Sequence, residues 1–288
     1  MAAKILDGKA ASAAIRDELR ERVAKLAEQG VTPGLATVLI GDDEGSQVYV
    51  RMKHKACADI GIHSVREDHP ADVSGADVLR VIETLNADPA IDGYLIQYPV
   101  PDHLDYGTLI QAVDPTKDAD GLHPMNLGHL ALGARDTPRP CTPLGVVALL
   151  ERNNVPIAGR HVVIVGRGPT AGRPLAMLLS LKEEGGNATV TQCHTGTQFL
   201  PEHTRSADIL VAAAGKPGMI TADMVKPGAA VVDIGISRTD DGIAGDVAPD
   251  VVDVAAWLAP VPGGVGPMTI AMLLRNTVER AEQRASRS

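Results

Sequence analysis

Two groups of residues in this 288-residue chain combine types and spacings that could do chemistry. The first is Ser46-Gln47-Val48-Tyr49-Val50-Arg51-Met52-Lys53, which follows the apolar run 35–40 and the loop Gly41-Asp42-Asp43-Glu44-Gly45. Ser46 is a plausible helix cap, and the acidic loop suits a helix N-terminus. Tyr49 and Lys53 then share one face, and Val48, Met52, Ala56 and Ile60 form a second row that can pack inward. A phenol and an amine would stand together at a strand-to-helix connection, where open α/β sheets bind ligands. On spacing alone, a solvated lysine beside an interfacial tyrosine explains the pair at least as well.

The second group is Gly166-Arg167-Gly168-Pro169-Thr170-Ala171-Gly172, directly after the apolar run 161–165 and before a helical stretch, 175–181. Glycines let a backbone approach a pyrophosphate, and a helix N-terminus favours its charge. The spacing is G-x-G-x-x-x-G rather than G-x-G-x-x-G, but strand before and helix after favour a dinucleotide site over a plain glycine turn. NAD-preferring folds carry an acidic residue at the end of the second strand. Here that strand ends in Cys193-His194-Thr195. Arg167 or Arg173 could meet a 2′-phosphate with a bidentate fork, so NADP is expected rather than NAD.

The elements that must position these groups alternate. Helix 10–29, with Ile15, Leu19, Val23 and Leu26 as its buried stripe, stops at Gly30. Strand 35–40, the helix from Ser46 to about Gly61, a short strand near 63–66, a helix around Val78 to Leu85, strand 91–97 and a helix through 109–113 follow. The polar segment 114–124 reads as a first linker and as part of a cleft. Thr142 can cap a helix over 144–152, with Pro143 in its first turn. A second α/β pattern has strands at 161–165, 188–192, 208–213 and 229–234. The rigid loop 259–269 leads to an apolar helix, 270–281, that could return to the first domain, and the tail from Gln283 is expected to fray. The expected class is α/β with parallel sheets and two domains. The domains are drawn as 1–121 plus a C-terminal helix 268–288, and 142–267 as a Rossmann-type unit, with 122–141 as linker.

Composition agrees. Hydrophobic content is 44% and aromatic content 2%, so the cores are aliphatic, as suits sheets covered by helices. A net charge of −9 and the lack of a basic stripe with interleaved aromatics argue against nucleic acid. No stretch spans a bilayer, and the first residues lack a signal-peptide core. Three scattered cysteines suit a reducing, cytoplasmic setting, and nine histidines without ligand spacing predict no metal.

Taken together the motifs resemble the bifunctional methylenetetrahydrofolate dehydrogenase/cyclohydrolase (FolD) family over essentially the whole chain. The resemblance is carried by 46–49 with Lys53 and 55–57, by Gln97 with Pro99 and Pro101, and by Asp114-Pro115, Lys117-Asp118 and Asp120-Gly121. Cys141-Thr142-Pro143, 232–236 and Pro262-Gly263-Gly264-Val265-Gly266-Pro267-Met268-Thr269 complete it. It implies a folate cleft between the lobes, with Lys53 as catalytic lysine, Tyr49 orienting it and Gln97 tuning it. By the same resemblance Asp120 holds the pterin, and Ser46, Pro262 and Gly264 make further substrate contacts. Gly166, Arg167, Gly168, Thr195 and Ile236 match cofactor positions, beside Gly172 of the glycine loop, and a homodimer forms through the cofactor domain. The family's serine is glycine at Gly168, Pro169 removes a backbone donor, and Tyr98 stands where leucine is usual. The reactions implied are NADP-dependent oxidation of 5,10-methylenetetrahydrofolate and hydrolysis of the product to 10-formyltetrahydrofolate. A short-chain dehydrogenase also pairs Tyr and Lys at this spacing, but there the glycine loop comes first. A nucleotide-sensing Rossmann protein with a degenerate catalytic lobe, or a two-domain scaffold, remains the alternative.

Overall fold

The computed structural model describes residues 2–240 and 242–287. The chain runs β1 (Lys4–Ile5), α1 (Gly8–Glu28), β2 (Gly34–Ile40), α2 (Glu44–Ile60), β3 (His63–His69), α3 (Gly75–Ala87), β4 (Gly93–Ile96), α4 (Tyr106–Ala112) and α5 (Pro124–Ala131). It continues with α6 (Cys141–Arg152), β5 (His161–Val165), α7 (Gly172–Ser180), β6 (Thr189–Cys193), α8 (Leu200–Arg205), β7 (Ile209–Ala212) and β8 (Ala230–Asp233). Last come β9 (Ser237–Thr239), β10 (Gly242–Ala244), β11 (Trp257–Ala259) and α9 (Val265–Ala285). Two compact units result, Met1–Ala13 with Pro140–Thr269, and Ala14–Arg139 with Ile270–Ser288. Helices α1 and α9 each contribute residues to both.

The second unit holds a three-stranded parallel sheet, β3-β2-β4. Every residue of β2 is buried, and its side chains meet Val78 and Ile82 of α3 and Leu109 of α4. In α1 the expected stripe of Ile15, Leu19, Val23 and Leu26 is buried. Of the expected row on α2, Ala56 and Ile60 are buried but the first two residues are not. Val48 and Met52 are 46% and 47% exposed, and the buried face is Ser46, Val50, Lys53, Ala56, Cys57 and Ile60. Either stripe satisfies helical spacing, and the one that covers β2 and β3 decides, the lysine stem serving as apolar surface. Asp43, not Ser46, caps α2, because its Oδ2 accepts from the Ser46 N–H at 2.7 Å. Gly61 closes α2 at φ 84°, a left-handed turn that glycine adopts without strain.

Segment 114–124 is not a linker. The N–H of Tyr94 donates to the Lys117 carbonyl at 2.8 Å and the N–H of Ala119 to the Tyr94 carbonyl at 3.1 Å, so residues 117–119 form a single parallel bridge to β4. Lys117 Nζ donates to the carbonyls of Leu85 and Asp88, closing the end of α3. The last turns of α9 are tied down rather than frayed. Arg284 meets Asp92, whose side chain is 2% exposed, at 2.7 and 3.0 Å, and Glu282 accepts from Arg22 at 2.8 and 2.6 Å.

The first unit is built on a six-stranded sheet, β1-β11-β8-β7-β5-β6, with every pairing parallel. Its core is aliphatic, with Val163, Val165, Leu210, Ala212 and Val231 at its centre. After β5 the chain pairs first on one side, as β6, then crosses to the other, as β7. The C-terminal end of β5 is therefore the topological switch point, where such sheets bind ligands. Residues up to Ala13 group with this sheet, because β1 pairs with β11, Lys4 opposite Trp257. A two-residue strand has no periodicity to show in a sequence. Thr142 lies inside α6 and does not cap it, since that helix begins at Cys141 after Pro140. Its hydroxyl is 3.2 Å from that of Thr269.

Candidate active site

Helix α2 carries Lys53 into a buried place. The lysine is 6% exposed, and its Nζ donates to Gln97 Oε1 at 3.0 Å and lies 5.5 Å from the centroid of the Tyr49 ring. Gln97 follows β4, and its position is set at both ends. Its backbone N–H donates to the Val38 carbonyl and its Nε2 to the Tyr98 carbonyl, each at 2.8 Å, which turns Oε1 toward the amine. Burial raises the Tyr49 phenol above its ordinary range, and the Asp120 carboxylate adds to the rise. The phenol therefore stays protonated and serves as a hydrogen-bonding group. Cys57, one turn beyond Lys53, is pushed up to about 12 by burial against the opposing pull of the lysine, so it is an inert core thiol.

Asp120 sits on a turn fixed from several sides. The neighbouring Asp118 is buried and accepts from the N–H groups of Gly121 at 3.1 Å and His123 at 2.7 Å, and from Asn126 Nδ2 at 2.9 Å. Burial raises the Asp118 carboxyl despite these donors. Gly121 takes φ 73°, which lets the chain turn directly after Asp120. Asn276 of α9 donates to the Ala119 and Arg139 carbonyls, each at 2.9 Å. Asp118, Asn126 and Asn276 were not among the expected site residues. Asp118 stood inside a quoted motif, whereas Asn126 and Asn276 had no signal in the sequence. Tyr98 is 61% exposed and packs edge-on to Tyr106, ring centroids 5.2 Å apart. Ser46, expected as a substrate contact, is 4% exposed in the first turn of α2.

The expected cofactor residues gather in the six-stranded unit. Gly166 ends β5 at φ 136°, and a Cβ there would run into the Ala213 backbone. A Cβ on Gly172 would lie 2.5 Å from the Gly166 carbonyl oxygen, so α7 starts against the strand end as dinucleotide folds require. Gly168 has open space where a side chain would point, so its lack of a hydroxyl is not forced by packing. Arg167, Arg173 and Thr195 are exposed, and the loop after β6 carries no carboxylate through 193–197. That combination fits a phosphorylated ribose. Ile236, 56% exposed, follows β8. Pro262 is exposed, and Gly264 is buried against the start of α1, where a Cβ on Gly8 would strike its carbonyl oxygen. Lys53, Tyr49, Gln97, Asp120 and Ser46 thus belong to one unit, and the glycine loop, Thr195, Ile236, Pro262 and Gly264 to the other. Among the described residues no cluster of His, Cys, Asp or Glu could hold a metal, and no helix is long and apolar enough to cross a membrane.

Comparison with known proteins agrees with both halves. Residues 6–120 match the catalytic-domain model of tetrahydrofolate dehydrogenase/cyclohydrolase, and residues 140–285 match its NAD(P)-binding domain. The chain is similar to the bifunctional FolD methylenetetrahydrofolate dehydrogenase/cyclohydrolase of Campylobacter jejuni, at 44% identity over 98% of this chain and 100% of that one, with a TM-score of 0.94. A 5,10-methylenetetrahydrofolate dehydrogenase from the silkworm Bombyx mori is 41% identical over 99% of each chain, TM-score 0.92. The Trypanosoma brucei dehydrogenase-cyclohydrolase, solved with NADP and an inhibitor, is 39% identical over 100% of each chain, TM-score 0.93. With matched domains in both halves and identities of this size over its full length, the chain belongs to the tetrahydrofolate dehydrogenase/cyclohydrolase family.

Proposed function

We propose that this protein oxidises 5,10-methylenetetrahydrofolate to 5,10-methenyltetrahydrofolate with NADP and hydrolyses the product to 10-formyltetrahydrofolate. The observation that carries the reading is the buried Lys53 amine, held between the Tyr49 ring and the neutral Gln97 Oε1. NADP, when bound, accepts the hydride of the first reaction. Gly166, Gly168 and Gly172 would admit its pyrophosphate, Arg167 and Thr195 its ribose phosphate, and Ile236 would pack near the reacting end. For this step the chain's contribution is alignment of donor and acceptor carbons.

The second step needs a base and an acid. Lys53, in its neutral form, takes a proton from water as the oxygen bonds to the methenyl carbon. The resulting ammonium returns that proton to N5 as the carbon–N5 bond breaks, and the adduct's hydroxyl proton leaves to solvent. A cationic substrate beside the amine and its removal from water both favour the neutral form. Gln97 and Tyr49 hold the amine without adding charge, and Asp120 accepts from pterin N–H groups to orient the ring. The same reading includes a homodimer through the cofactor unit and a cytoplasmic location, supported by the family resemblance.

One assay tests it. Mixing the protein with methylenetetrahydrofolate and NADP should give the absorbance of methenyltetrahydrofolate and reduced nicotinamide, followed by decay of the methenyl band. Lys53→Met should abolish that decay, a loss of about 10²-fold or more for a missing general base, while leaving NADP affinity unchanged. Failure of the wild type to form either product would remove the enzyme reading, and wild-type hydrolysis by Lys53→Met would remove the lysine's role.

A further inference from the structure

Two carboxylates of the six-stranded unit have no part in this mechanism. Asp246 is 0% exposed and Asp233 2%. Asp246 Oδ2 accepts from the N–H of Ala214 at 2.6 Å and of Gly215 at 2.9 Å, and its Oδ1 from the N–H of Lys216 at 2.7 Å. Asp233 Oδ1 accepts from the N–H groups of Gly235 and Asp246, each at 3.0 Å, and its Oδ2 from the N–H of Val247 at 3.0 Å. The bonds run in series, from segment 214–216 to Asp246, from the Asp246 backbone to Asp233, and from Asp233 to Gly235. The fit is close. A Cβ on Gly235 would collide with the Asp246 carboxyl, and one on Gly245 with that of Asp233.

Burying two carboxylates is unfavourable, and here backbone N–H dipoles offset the cost. What the arrangement secures is the course of loops. Ala214, Gly215 and Lys216 are exposed just beyond β7, and Ile236 is exposed just beyond β8. Gly166, the first residue of the glycine loop, packs on the Ala213 backbone, directly before segment 214–216. These loops stand at the C-terminal ends of β5, β7 and β8, the side of such a sheet on which a dinucleotide lies.

We propose that Asp246 and Asp233 are positioning residues for the nicotinamide end of the cofactor, holding segment 214–216 and Gly235-Ile236 in the arrangement that seats the ring for reaction. The inference rests on the dehydrogenase reading. Asp246→Asn keeps the shape but sets an NH2 group against backbone N–H donors. Gly235→Ala keeps the charge but drives the carboxyl from its place.

In the full-length protein both variants are measured for NADP dissociation constant by calorimetry, for dehydrogenase turnover, and for hydrolysis of methenyltetrahydrofolate without cofactor. Losing hydrogen bonds to a charged acceptor should raise the NADP dissociation constant about tenfold or more. Displaced loops should lower dehydrogenase kcat by about 10²-fold. Cofactor-free hydrolysis should stay within about twofold of wild type, because that step uses no cofactor and Lys53 belongs to the other unit. Unchanged NADP affinity and dehydrogenase kcat would overturn the proposal. So would loss of both activities together with a melting transition below the assay temperature, which would make the carboxylates simply structural. A wild type that binds NADP but converts neither folate would sink the functional reading, and the dissociation constants alone would then decide this one.

Discussion

At position 97 a glutamine, rather than a glutamate, faces the buried amine of Lys53 at 3.0 Å. The choice decides what the amine can do. A carboxylate at that distance would favour the ammonium form, whereas an amide oxygen accepts the hydrogen bond and leaves the charge free to change. Gln97→Glu is therefore expected to lower hydrolysis of methenyltetrahydrofolate at neutral pH by about tenfold or more, as a mistuned general base does. The ammonium then persists to higher pH, so the rising limb of the pH–rate profile should move to the alkaline side. Initial rates between about pH 6 and 9 check this. An unshifted profile at wild-type rate would mean that Lys53 does not act through its neutral form. Tyr49 does not compete for the role, because burial and the Asp120 carboxylate keep its phenol protonated.

Elements place these residues by backbone anchoring as much as by packing. The turn bearing Asp120 is pinned to β4 by Tyr94, to α5 by Asn126 acting on Asp118, and to α9 by Asn276. Helix α9 is fixed in turn by Arg284 on Asp92, which also accepts from the Gly34 N–H at 3.0 Å where β2 begins. Arg284→Ala leaves the buried Asp92 carboxylate without its guanidinium partner and the two hydrogen bonds it donates, while the Gly34 N–H remains. Because the arginine is itself partly exposed, the expected loss of stability is about 1–2 kcal/mol rather than the larger cost of a fully buried pair. Chemical denaturation with folate affinity measured alongside checks it. A shift toward weaker folate binding should accompany the loss, since α9 braces the Asp120 turn. A variant as stable as wild type would show that the ion pair contributes nothing.

At the scale of the whole molecule, Lys53 belongs to one unit and the glycine loop to the other. On the proposed reading, cofactor choice rests on the loop after β6, which has no carboxylate, and on exposed Arg167 and Arg173. NADP should show the lower KM against NAD, and Arg167→Ala combined with Arg173→Ala should abolish the difference; a wild-type preference for NAD would reverse the assignment. Much of this was legible in the chain itself. Alternating strands and helices, Tyr49 beside Lys53, the glycine loop between strand and helix, and the helix that ends the chain all follow from local periodicity, which depends only on near neighbours. Other features depended on segments meeting across the fold. Which stripe of α2 is buried, that β1 joins the sheet of β11, and that 117–119 bridges to β4 are decided by what packs alongside. The bonds from Asp246 to 214–216 and from Asn276 to Ala119 join residues far apart in the chain, and a carboxylate or amide accepting or donating to distant backbone leaves no spacing in the sequence to reveal it.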